Sequence, residues 1–137
     1  MQIYVNYVTV FGAAIASILI GIAWYSHMGF GNKWKKYMGW VPGSEEDMKK
    51  GMAKRYTINL VANFVMAFVL AYFIKILGVT TVSGAIILTL WLWLGFILPT
   101  AIGEVLWAKK PWGLYFINVF YSLISIYVMA LILTFWG

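Results

Sequence analysis

Four long apolar runs, interrupted only where the chain's few charged residues gather, decide most of what this sequence can fold into. A helix crosses about 30 Å of hydrocarbon in about 20 residues, at 1.5 Å per residue. The runs at residues 3–25, 57–77, 83–103 and 112–135 all reach that length. They are continuous rather than alternating and too long for barrel strands, so the spacing predicts helices. Composition points the same way: 64% of the 137 residues are hydrophobic, 10% are charged, and the mean hydropathy is +0.87. A soluble domain carries about 25% charged residues, and one core of this size buries only about 70% of the chain's surface. An ordinary soluble domain and a disordered tail are thereby excluded, and the lack of cysteine excludes a disulfide scaffold. The expected architecture is an all-α, integral-membrane four-helix bundle. It forms one transmembrane domain over residues 1–137, with an amphipathic interfacial segment between the first two helices.

The charges are placed rather than scattered. Ten of the fourteen lie between Lys33 and Arg55, and Lys109 and Lys110 follow the third run. Nine Lys and Arg residues thus fall in the first and third loops, against Lys75 alone on the other side. The positive-inside rule predicts those two loops in the cytoplasm and both termini outside, in the cytoplasmic (plasma) membrane. Ala14-Ile15-Ala16 has the form of a cleavage site, but no basic segment precedes it and the apolar run continues beyond it. The first run therefore reads as a permanent helix. A net charge of +6 set beside membrane spans suits anionic lipid head groups, at about 1 kcal/mol per base, better than nucleic acid.

The loop at residues 26–56 is the only sizeable polar region. Phe30, Trp34, Tyr37 and Met38 recur at helical spacing, with Lys33, Lys35 and Lys36 on other faces and Trp40 close behind. Such a stretch is expected to anchor in the interface, rings at head-group level and ammonium groups in water. Pro42-Gly43 marks a turn, and Ser44 with Asp47 has the form of a capping box for a helix running into the second span.

Polar groups inside hydrocarbon are costly, so each invites a role. In the first span Ala13, Ser17 and Gly21 form a small-residue row, with Gly12 and Ala16 on a neighbouring ridge; such rows let helices approach closely. Asn59 and Asn63 lie one turn apart in the second span. Thr100 and Glu104 close the third behind Pro99, and Asn118, Tyr121 and Ser122 open the fourth. All gather in the half of the bundle nearest the basic loops. They form either a cytoplasm-facing polar cluster or a set of interhelical hydrogen bonds. Glu104, with two lysines within six residues, is expected to pair with one of them or to be solvated, and His27 has no second ligand beside it. Of the deep tryptophans Trp91 and Trp93, at least one is expected to pack inside the bundle or between subunits. No metal pair, phosphate loop or nucleophile motif is present, so neither an enzyme nor a cofactor is expected.

The residues Gly21-Ile22-Ala23-Trp24-Tyr25-Ser26, then Phe30-Gly31, Trp34 and Gly39, then Glu46-Asp47-Met48-Lys49-Lys50 resemble the first half of domain-of-unknown-function family 1761. Trp93-Leu94-Gly95-Phe96, with Asn118, Tyr121 and Met129, resembles its second half. The resemblance implies a small prokaryotic membrane protein with four helices, and brings no activity, substrate or cofactor. Ser122 stands where members often carry His, which tells against catalysis on that face. The expected function is that of a structural or interaction protein packing through small-residue helix faces, as a homo-oligomer. The alternative is a small solute or ion carrier using Asn59, Asn63, Glu104, Asn118, Tyr121 and Ser122.

Overall fold

A computed structural model describes residues 4–26, 29–38 and 52–136. The expectations for His27, Trp40, the Pro42-Gly43 turn and the Ser44 capping box lie outside the described residues. The first helix, α1 (Tyr7–Trp24), starts four residues later than the apolar run because Asn6 caps it. The Asn6 side chain accepts from the Val8 and Thr9 amides, filling two orphan donors of the first turn. A short helix, α2 (Gly31–Met38), follows the turn, and then α3 (Met52–Leu77). The third begins before the apolar run because Ala53, Lys54 and Arg55 are good helix formers that carry the helix beyond hydrocarbon. It stops at Gly78, whose φ of 67° provides the left-handed cap; the Gly78 and Val79 amides turn back to the Lys75 and Ile74 carbonyls.

The third span is built in pieces. Helix α4 (Val82–Leu92), capped by the Thr81 hydroxyl, passes into a wide π turn at Trp93–Ile97. Short helices α5 (Leu98–Ala101) and α6 (Gly103–Leu106) complete it. Pro99 explains the irregularity: it has no N–H to give the preceding turn, and its ring crowds the carbonyl four residues back. The backbone widens ahead of it, the Leu98 amide reaching the Trp93 carbonyl. The Thr100 hydroxyl donates to the Phe96 and Ile97 carbonyls, covering acceptors that would otherwise face hydrocarbon. The fourth span is one unbroken helix, α7 (Trp112–Trp136). Among the described residues there are no strands, and four segments are long and apolar enough to cross a bilayer.

Helix α1 packs along both α3 and α7, while the third span leans on α7. The apolar core fills the half of the bundle away from the basic loops. Val10 and Ala13 of α1 meet Ala67, Leu70, Ala71 and Ile74 of α3, with Met129, Ala130 and Leu133 of α7. Alanines on α1, α3 and α7 allow the close approach. The half nearest the basic loops is held differently, by polar side chains.

Candidate functional site

Ser17, 1% exposed, stands where α1, α3 and α7 meet. Its hydroxyl donates to Asn63 Oδ1 at 2.7 Å, and its oxygen also meets Ser125 Oγ of α7. With the single Ser17 proton committed to Asn63, Ser125 is the donor in the second bond. Asn63 uses both amide hydrogens one turn back on its own helix, 2.8 Å to the Asn59 carbonyl and 3.0 Å to Asn59 Oδ1. Tyr121 OH donates to the Ser17 carbonyl at 2.9 Å. It can come that close because position 21 is glycine: a Cβ there would stand 2.9 Å from the same hydroxyl oxygen. The row Ala13, Ser17, Gly21 is thus an intrachain packing face. Ala16 is half-buried and Gly12 is exposed with open space around it, so Gly12 is not part of the seam. The seam follows i, i+4, i+8, and Gly12 is rotated off it.

Nearer the basic loops, a second layer surrounds the end of α1. Tyr25 OH donates to Asn118 Oδ1 at 2.6 Å, and Trp24 Nε1 donates to the Ile117 carbonyl at 3.1 Å. The turn that follows folds onto α1: the Phe30 amide donates to the Trp24 carbonyl and the Gly31 amide to the Ser26 carbonyl. Phe30 packs on Trp24 with ring centroids 4.6 Å apart. A Cβ on Gly29 or Gly31 would collide with those carbonyls, the physical content of the Trp-Tyr-Ser and Phe-Gly motif.

Helix α2 packs against α7. Lys33 and Lys36 are exposed, but Trp34 and Tyr37 are half-buried against protein. Trp34 meets Tyr25 edge-on with centroids 6.0 Å apart, and the Tyr37 ring lies directly over Gly113 of α7. A glycine at the start of α7 lets an aromatic ring lie directly on the backbone. Lys35 lies on the same helix.

The structure therefore brings Asn59, Asn63 and Tyr121 together with Ser17 and Ser125, and sets Asn118 beside Tyr25. Ser122 turns its hydroxyl back to the Asn118 carbonyl at 3.1 Å. Glu104 is exposed on α6, with no hydrogen bond or ion pair from its carboxylate among the described residues. Of the two expected arrangements, exposure rather than pairing with Lys109 or Lys110 is found among the described residues. Only a backbone bond, from the Lys110 amide to the Glu104 carbonyl, joins them. Trp93 is the inward tryptophan, donating to the Val119 carbonyl at 2.7 Å, whereas Trp91 is 72% exposed. Two cavities adjoin this polar layer. One of about 200 Å³ is lined by Asn59, Asn63, Ser122 and Ser125, the other of about 400 Å³ by Tyr25, Tyr56 and Gly21. Both have Asn59 and Tyr121 in their walls. Among the described residues no group of His, Cys, Asp and Glu could hold a metal ion.

Four apolar helices with an internal polar layer define a small four-helix membrane protein. The sequence matches, over residues 8–134, the family described as protein of unknown function (DUF1761), and the chain belongs to that family. No curated protein and no solved structure matches it.

Proposed function

We propose that this chain is a structural and interaction protein of the cytoplasmic membrane, with its basic loops in the cytoplasm and both termini outside. One observation carries the reading: Asn63, the most deeply buried amide, has its oxygen and both its amide hydrogens engaged by Ser17 and Asn59. The bond from Ser17 ties α1 to α3, and the amide hydrogens are held within α3. The lysines of the first loop, including the exposed Lys33 and Lys36, attract anionic head groups. Changing Lys33, Lys35 and Lys36 to Gln weakens binding of the purified protein to anionic vesicles. The chain has no cysteine, so single cysteines at exposed positions report its sidedness. Ala108→Cys reacts with an impermeant thiol reagent from the cytoplasmic side only, and Thr80→Cys from the outside only. The reverse pattern overturns the orientation.

A second reading, a small solute or ion carrier, draws support from the cavities that meet at Asn59 and Tyr121. Proton- or cation-coupled flux into liposomes, with and without Glu104→Gln, separates the two. The structural reading expects no flux from either form. A flux lost on Glu104→Gln favours the carrier.

A further inference from the structure

Two cavities of opposite character share a wall. The polar one, about 200 Å³, lies between α3 and α7, with Asn59, Asn63, Ser122 and Ser125 in its lining. The apolar one, about 420 Å³, lies between α3 and the third span, over Val65, Val69, Phe73, Leu92 and Phe96. Met66 and Ile126 border both. Read along α3, the lining changes from amide and hydroxyl at Asn59 to hydrocarbon at Phe73, over about 21 Å of helix at 1.5 Å per residue. Among the described residues no Asp, Glu, Lys, Arg or His lines either cavity, so a charged group drawn into them would lose its hydration without gaining a partner there. The wide turn ahead of Pro99 lies on the groove's third-span side, where Phe96 and Ile97 form part of the wall.

We propose that this pair of cavities is a binding site for an amphiphilic lipid. One hydrocarbon chain lies in the groove, and an uncharged hydrogen-bonding head, of hydroxyl or amide chemistry, sits in the polar pocket. The groove alone would take any acyl chain; the neighbouring pocket selects the head. A partner helix is a poorer occupant. At about 10 Å across it would bridge the groove without filling the narrower pocket between α3 and α7. The inference rests only on the membrane setting, and holds whether the chain scaffolds or transports.

The test uses a monoacylglycerol bearing a photoreactive diazirine in its acyl chain, added to the full chain in nanodiscs, with crosslinked residues identified by mass spectrometry. Labelling is expected to concentrate on Met66, Val69 and Phe96, to saturate, and to be displaced by unlabelled monoacylglycerol. Val69→Trp, at a half-exposed position, fills the groove and abolishes it. Ser122→Ala leaves the groove intact and removes an oxygen that, with its own proton on the Asn118 carbonyl, can still accept from the head's hydroxyl or amide; it lowers affinity about fivefold, as loss of one hydrogen bond would. Labelling spread evenly over the lipid-facing residues of all four spans, or unchanged by Val69→Trp, overturns the site. Equal or stronger labelling by a lysophosphatidic acid probe with the same chain overturns the uncharged head.

Discussion

A buried amide in hydrocarbon stabilises a bundle only while each of its polar atoms has a partner, and Asn63 meets that condition through Ser17 and Asn59. Interhelical hydrogen bonds in membranes contribute about 0.6 kcal/mol on average. Asn63→Leu is expected to destabilise the fold by about 1 kcal/mol in equilibrium unfolding from mixed micelles, the bond from Ser17 being lost while Ser125 remains. Thr89 provides the opposite sign. Its Oγ1 is buried and has no hydrogen-bond partner among the described residues. Thr89→Val, nearly the same shape, is expected to leave stability unchanged or to raise it by about 1 kcal/mol in the same assay. At this scale the sequence was partly legible. Asn59, Asn63 and Tyr121 stand out as polar groups in apolar runs, and Ser17 stands out as a small residue. That Ser17 is the hub of the polar layer depends on the rotation of α1 against α3 and α7, which no local pattern contains.

Individual elements are positioned by a few contacts that can be removed one at a time. Helix α2 docks through Tyr37 over Gly113 and Trp34 against Tyr25. Gly113→Ala places a methyl where the Tyr37 ring lies. It is expected to undock α2, seen as faster hydrogen exchange across Gly31–Met38 with α1 unaffected. The third span is tied to α7 by Trp93 Nε1 on the Val119 carbonyl and by Tyr115 OH on the Leu98 carbonyl at 3.1 Å. Trp93→Phe and Tyr115→Phe are each expected to cost about 1 kcal/mol, with exchange rising in the third span before the first. Pro99 marks the disturbance in that span. The contacts that Trp93 and Leu98 make with α7 were not legible, because they come from a helix distant in sequence. The Tyr37–Gly113 contact was hidden for the same reason.

Across the whole molecule, the two ends of the bundle differ in chemistry. An apolar, alanine-rich core fills one half, and a polar layer with adjoining cavities occupies the half beside the basic loops. The number of spans and this polarity were legible, since both follow from where charges and amides fall along four apolar runs. Which faces turn inward was not, and the small-residue row on α1 shows the consequence: Ala13, Ser17 and Gly21 are used within the chain. Any self-association must therefore use another surface. The central claim, that the Ser17 hub closes α1 onto α7 inside one chain, is open to a direct measurement in native membranes. The hydroxyls of Ser17 and Ser125 touch, and the chain supplies a cysteine-free background. Ser17→Cys combined with Ser125→Cys is expected to form a disulfide under mild oxidation. The product should run as a monomer, with its internal crosslink revealed by proteolysis between the two positions. A crosslinked dimer, or no crosslink while the protein remains folded, would contradict the account.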